Sequence, residues 1–205
     1  MLTGPSSMIL EGIATTMSAK GEINIAPMGP YVDAAMTRLV FRPFKTAQTY
    51  RNLTENGEGV FHITDDVLLL AQAALGRLAP MPPLFPARMV RGMVLQDGCR
   101  FYEFRVAAVD DREERTRIEA EVIHAERLRD FFGFNRGKHA VVEAAILATR
   151  VDFLPLEQIQ TEFRKLQGLV DKTGGEPERQ AFAFLQDFVS RVARTRAGDL
   201  AREEG

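Results

Sequence analysis

The spacing of apolar residues changes near residue 125, and the change predicts two kinds of structure in one chain. Before that point the pattern has period two. The clearest case puts Tyr102, Phe104, Val106 and Ala108 on one face of a strand with Glu103 and Arg105 on the other. Across Asp110-Asp111-Arg112, residues 117–122 repeat the alternation, which predicts an antiparallel hairpin with one wet face on which opposed Glu and Arg side chains pair. Upstream, residues 8–17 read as a strand that stops at Ser18-Ala19-Lys20-Gly21, and residues 22–26 complete a hairpin. Pro27-Met28-Gly29-Pro30 is expected to end regular pairing, because a proline has no amide to donate. Further strands are predicted over 36–42, 60–63 and 89–95.

Helical signals are sparse in this first part. Residues 46–55 read as a short helix closed by Asn56-Gly57, and Thr64-Asp65-Asp66 offers a cap to an apolar helix over 67–78. Beyond residue 125 they take over. Asn135 caps a helix over 136–149; Pro155 opens a run with Ile159, Phe163, Leu166 and Val170 on one face; Gly174-Gly175 stops it. Pro177 sits at a first helical position, and Phe182, Leu185, Val189 and Val192 form the last apolar stripe. The predicted organisation is a β domain over 1–125, a helical part over 126–195 packed on it, and a frayed polar tail over 196–205.

Composition narrows the function classes. With 205 residues and 45% hydrophobic content the chain builds a packed core without staples, and its single cysteine, Cys99, excludes an internal disulfide or a multi-cysteine zinc site. No run approaches the roughly 18 apolar residues of a membrane span, and the first residues lack a basic segment followed by an apolar one. The expectation is a soluble, cytoplasmic protein with no membrane partner. A net charge of -2 gives no general attraction to nucleic acid, so any phosphate binding falls to local clusters. The three histidines share no metal-ligand spacing, and no metal site is expected. Gly-x-Ser-x-Gly, Walker and GxGxxG patterns are missing, which removes the common signals for acyl transfer, nucleotide hydrolysis and a Rossmann cofactor.

The densest candidate chemistry lies at 41–52, where Arg42, Lys45, Thr46 and Thr49 surround a strand-to-helix junction. A phosphate monoester asks for fixed positive charge and several donors, which a guanidinium, an ammonium, hydroxyls and helix N-terminal amides supply. Thr46 and Thr49, one turn apart, are expected to face the same way. A capped surface helix carrying ordinary exposed cations explains the same residues. Residues 24–30, which include Ala26, Pro27, Met28 and Gly29, form an irregular strand that can present backbone groups to the edge of a flat ring, or simply a bulged edge. Three phenylalanines, Phe131, Phe132 and Phe134, precede Asn135, Arg136, Lys138 and His139 at a helix start, and suit either closure over an aromatic or anionic ligand or plain hydrophobic docking. Cys99 between Gly98 and Arg100 reads as structural.

Several segments together resemble the DUF447 family: Met8-Ile-Leu-Glu-Gly-Ile, Asn24-Ile-Ala-Pro-Met-Gly-Pro, Arg42-Pro-Phe-Lys-Thr, Thr49-Tyr-Arg-Asn-Leu, Gly57-Glu-Gly-Val-Phe, Thr64-Asp-Asp-Val, Asp110-Asp-Arg-Glu-Glu-Arg and Phe131-Phe-Gly-Phe-Asn-Arg-Gly-Lys-His-Ala. Where the family has Asp-Ala-Cys-Arg, this chain has Asp97-Gly98-Cys99-Arg100. The resemblance runs from about residue 8 to 188. It implies an α+β fold, an antiparallel Greek-key split β-barrel of the FMN-binding type followed by a C-terminal α-helical part, with FMN as cofactor and a homodimer holding the flavin at its interface. The implied activity is that of a flavin reductase-like oxidoreductase, or of a non-catalytic carrier for FMN or another phosphorylated aromatic ligand such as a pterin derivative. By analogy with that fold, the FMN phosphate would meet Arg42, Lys45, Thr46 and Thr49, the ring edge would lie along Ala26, Pro27, Met28 and Gly29, and Asn135 and Arg136 would join the site.

Overall fold

The computed structural model describes the backbone of residues 8–203 and side chains over 8–196. Its elements in order are β1 (Met8–Ile9), β2 (Gly12–Met17), β3 (Ile23–Met28), β4 (Tyr31–Val32), β5 (Arg38–Phe41), α1 (Gln48–Asn56), β6 (Glu58–Ile63), α2 (Val67–Ala74), β7 (Leu84–Pro86), β8 (Met93–Leu95), β9 (Arg100–Asp110), β10 (Arg117–Arg127), α3 (Arg136–Ala148), α4 (Leu156–Thr173) and α5 (Glu176–Glu203). They group into two compact units, residues 8–65 with 80–131 and residues 66–79 with 132–203. The helix-forming segment 66–79 thus belongs to the second unit, so the division is not the single cut at residue 125 that the change of period predicts. The predicted frayed tail over 196–205 lies mostly outside the described side chains; the backbone of α5 runs to Glu203.

The first unit is an antiparallel sheet of eight strands in the order β1-β4-β5-β10-β9-β6-β2-β3, with β7 and β8 forming a separate pair. Only Leu10 and Glu11 separate β1 from β2, yet these strands stand near opposite ends of that order. The Leu10 amide donates to the Pro30 carbonyl at 3.1 Å and ties the β1–β2 link to the β3–β4 link. A sheet whose ends meet is curled on itself, and the fold is the expected α+β split barrel followed by helices. Its interior holds Ala14, Leu39, Phe41, Phe61, Phe104 and Ile118, with Leu53 of α1 as a plug. Gly57, at a φ of 65°, ends α1 in the left-handed region that glycine enters without steric cost.

Several strand expectations change in detail. The predicted strand 8–17 is two strands, because residues 10 and 11 carry the chain from one end of the sheet to the other. Pairing does not stop at Pro27, which lies opposite Ile13 while β3 continues to Met28. Counting back from the Ser18 amide, which donates to the Glu22 carbonyl, the Ile13–Pro27 pair is a non-hydrogen-bonded one. Proline's missing amide therefore falls on the outer edge of an edge strand, where no ladder bond is lost. The predicted strand 89–95 shrinks to Met93–Leu95, and residues 80–86, which hold four prolines, supply its partner Leu84–Pro86.

The face of β9 expected to be wet is dry at its first half. The β7–β8 pair and its loop cover it, building a second cluster of Val60, Val90, Val94 and Phe101. Glu103 is fully buried there and accepts the amides of Arg88 at 2.9 Å, Met89 at 2.5 Å and Val90 at 3.1 Å. Arg105 pairs with Glu58 of β6 at 2.9 Å, its register partner, and not with β10.

In the second unit Asn135 caps α3 through the Lys138 amide, and Asp66 caps α2 through the Leu69 amide, as the side-chain pattern predicts. Ile159, Phe163 and Val170 of α4 and Phe182, Leu185 and Val189 of α5 are buried. Lys138 of α3 and Glu178 of α5 form an ion pair at 3.0 Å with the carboxylate buried. Among the described residues no helix is long and apolar enough to cross a membrane.

Candidate functional site

The junction between β5 and α1 is held by the tip of the β9–β10 hairpin. Pro43 turns its carbonyl to Thr116, which donates its amide at 3.0 Å and its hydroxyl at 2.8 Å. The Lys45 amide donates to the Glu114 carbonyl, Arg115 Nε donates to the Arg42 carbonyl at 3.2 Å, and Phe44 bridges Arg115. Tyr50 of α1 reaches the same tip, its hydroxyl 2.9 Å from Asp111, and that hydrogen bond raises the phenol pKa. These bonds fix a backbone that would otherwise be a free loop between a strand and a helix.

Beside the junction lies a cavity of about 530 Å³. Arg42 lines it with Tyr31 and with Arg112, Arg115 and Arg117 from the hairpin, and the acids on its wall are Asp110 and Glu113. Not all of that positive charge is uncompensated. Arg112 is held by Asp110 at 2.6 Å, and this hydrogen bond keeps the carboxyl at a pKa of about 2; Arg117 is held by Glu119 at 3.0 Å. Among the described residues Arg42, Lys45 and Arg115 make no ion pair. The sequence pattern marks Arg42 and Lys45 as candidates but shows the hairpin tip only as a turn. The signal it lacked is the pairing register, which brings residues more than 70 positions apart into contact.

The two threonines do not face the same way. Thr46 precedes α1 and is exposed, whereas Thr49 is buried with its hydroxyl accepting from Asn24 Nδ2 at 3.1 Å. Asn24 and Asn52 also donate to Thr16 Oγ1, and Gln48 donates to Asn52, so Thr49 belongs to a polar network fastening α1 onto β2 and β3. Ala47 at the N-cap offers no side-chain acceptor, and the first-turn amides of α1 are not taken by a cap.

Ala26, Pro27 and Met28 lie on the edge strand β3, whose outer edge pairs with no strand among the described residues. By the same parity that accommodates Pro27, the Ile25 amide and the Ile25 and Pro27 carbonyls point outward there. Gly29 allows a close approach, but to the chain's own side chains: a Cβ there would come within 2.9 Å of both Ile9 and Glu11. In the second unit Asn135 spends its amide on capping, with Oδ1 accepting from Lys138 and Nδ2 donating to the Thr173 carbonyl at 2.9 Å; Arg136 is exposed on α3. Phe132 and Phe134 are exposed as well.

His62 and Cys99 are placed as structural residues. His62 is fully buried; its Nδ1 donates to the Ile13 carbonyl and its Nε2 accepts the Leu95 amide, and burial lowers its pKa to about 4, so it is neutral at pH 7. Burial, and then the neighbouring Asp65 carboxylate, push the Cys99 thiol up, away from nucleophilic use. Among the described residues no three His, Cys, Asp or Glu side chains converge as metal ligands.

Two family models match the chain. The N-terminal domain of DUF447, described as a protein of unknown function, matches residues 10–129, and a second model described as protein of unknown function (DUF447) matches residues 135–187. Among solved structures, an FMN-bound protein from Methanosarcina mazei carrying the DUF447 family model superposes with a TM-score of 0.76 at 22% identity, covering 88% of this chain and 94% of that one. A 2-nitrobenzoate 2-nitroreductase from Pseudomonas fluorescens has a TM-score of 0.49 at 16% identity over 61% of this chain and 66% of its own. Flavoredoxin of Desulfovibrio vulgaris has a TM-score of 0.47 at 14% identity over 62% and 75%. The N-terminal match alone spans more than half of the sequence, and the chain belongs to the DUF447 family.

Proposed function

We propose that this protein is an FMN-binding flavoprotein of the flavin reductase-like type, working as a homodimer. The observation that carries the proposal is the pair of uncompensated cations, Arg42 and Lys45, beside the exposed Thr46 hydroxyl at a junction opening on the arginine-lined cavity. The junction fits a phosphate monoester: a fork from Arg42, a point charge from Lys45, a hydroxyl from Thr46 and first-turn amides of α1 left without a side-chain cap. The FMN-bound relative with the same fold supports the identity of the ligand.

In this reading the phosphate set is Arg42, Lys45 and Thr46. Thr49 acts from beneath, holding the start of α1 through Asn24. The outward amide of Ile25 and carbonyls of Ile25 and Pro27, in the segment running to Gly29, meet the polar edge of the flavin ring. Asn135 stays out of the set because its amide is committed to α3 and the Thr173 carbonyl. When bound, the flavin supplies hydride or single-electron transfer, and the chain's own residues bind and orient it.

The test is uptake of FMN by the purified protein. Saturable quenching of flavin fluorescence at micromolar or lower concentration is expected, and a protein that takes up no FMN refutes the reading. Anaerobic mixing of the loaded protein with NADH or NADPH then checks the oxidoreductase part: bleaching near 450 nm is expected, and an unreduced flavin reassigns the protein as a carrier. Light scattering at micromolar protein checks the dimer.

A further inference from the structure

Resting on that reading, we propose that Arg115, at the tip of the β9–β10 hairpin, is the second arm of a two-guanidinium clamp with Arg42. The clamp closes on the phosphomonoester dianion and sets the preference for a phosphorylated ligand over its neutral counterpart.

Three observations converge on Arg115. First, of the four arginines lining the cavity, Arg112 and Arg117 are paired with Asp110 and Glu119, while Arg42 and Arg115 have no carboxylate within ion-pair distance among the described residues. Glu113, on the same wall, pairs with neither. Two like charges held in one cavity repel, and the arrangement is relieved by a ligand carrying about two negative charges.

Second, the two arms are mechanically joined. Arg115 Nε donates to the carbonyl of Arg42 itself at 3.2 Å, and the Phe44–Arg115 bridge and the Thr116 bonds to Pro43 hold the same backbone. Spending Nε on the main chain leaves both terminal nitrogens of Arg115 for a ligand, in the planar geometry that matches phosphate oxygens.

Third, the guanidinium is pre-set. It sits 5.7 Å from the centroid of the Phe44 ring, which is 55% exposed and so covered by little else. Stacking on an aromatic face restricts the side chain before any ligand arrives and reduces the entropy lost on binding. An exposed phenylalanine at this turn has no role in the core, and support of Arg115 accounts for its position.

The test compares flavins with and without the phosphate. In Arg115→Gln the FMN dissociation constant should rise about 10-fold or more while that of riboflavin moves by less than about twofold, the size associated with one charge-assisted contact. Arg115→Lys keeps the charge and loses the fork, so it should fall between; it also serves if the Gln variant does not fold. Phe44→Ala should weaken FMN in the same direction by a smaller factor. Unchanged FMN affinity in Arg115→Gln, or equal losses for both flavins, overturns the clamp while leaving the flavin reading intact. If the wild-type protein binds neither flavin, inorganic phosphate serves as the probe. Broadening of its ³¹P resonance by the wild-type protein but not by Arg115→Gln would keep the clamp and remove the flavin, and no broadening by either would remove both.

Discussion

Replacing His62 should change the acid limb of the stability profile more than stability at neutral pH. The imidazole is fully buried, donates from Nδ1 to Ile13 and accepts at Nε2 from Leu95, an arrangement only the neutral Nδ1–H tautomer satisfies. Its pKa falls from 6.5 in the unfolded chain to about 4 in the fold, with burial as the main cause. Between those values the unfolded state binds the extra proton, so stability increases with pH across the window and is lost as pH drops from 6.5 toward 4. At about 1.4 kcal/mol per pH unit the whole window is worth about 3 kcal/mol. Asp110, whose carboxyl is held at about 2, loses its contribution below the histidine window, and Glu178, lowered from 4.5, starts to lose its own only at the acid end of that window. His62→Gln offers an uncharged donor and acceptor to the same two backbone groups and should flatten the profile between pH 6.5 and 4.5. Urea unfolding of both proteins at half-unit steps measures it, with the wild type losing about 2–3 kcal/mol more than the variant over that range. Parallel profiles would refute the argument, because they would mean that His62 charges in the fold as readily as in the unfolded chain.

Other consequences follow from groups in equally defined surroundings. Glu103→Gln swaps one acceptor oxygen of a buried side chain for a donor facing the amides of Arg88, Met89 and Val90, and should destabilise by about 3 kcal/mol in chemical denaturation, with faster hydrogen exchange at Met89 and Val90. A loss below about 0.5 kcal/mol would contradict the bonding described. Lys138→Met leaves the Glu178 carboxylate buried beside an apolar group and should cost about 2 kcal/mol, whereas the double change Lys138→Met with Glu178→Leu should recover most of that loss. Thr46→Ala should weaken FMN binding by about threefold, and Thr49→Ala, which cuts into the network under α1, should lower the melting temperature as well.

Local chemistry made much of this fold legible. The turn at Ser18 to Gly21, the glycine that closes α1, the Asp66 and Asn135 caps and the long β9–β10 hairpin are each signalled by residues within a few positions of one another. What escaped is non-local. Nothing in Leu10-Glu11 says that two residues carry the chain between opposite ends of a curled sheet, and nothing in the alternation around Glu103 says that the β7–β8 pair dries that face. The site shows the same division. Arg42 and Lys45 stand out because a strand-to-helix junction concentrates cations, but Arg115 becomes visible only through its bonds to residues 42–44. Thr46 and Thr49 do not share a face because helical spacing sets the angle between two residues only if both lie within the helix, and Thr46 precedes it.

If Arg42 holds the phosphate of a bound FMN, the affinities of Arg42→Ala for FMN and for riboflavin must separate. The FMN dissociation constant should rise about 10-fold or more while that of riboflavin changes by less than about twofold, because riboflavin has no phosphate for the guanidinium to hold. Equal weakening of both flavins, or none for FMN, would contradict it.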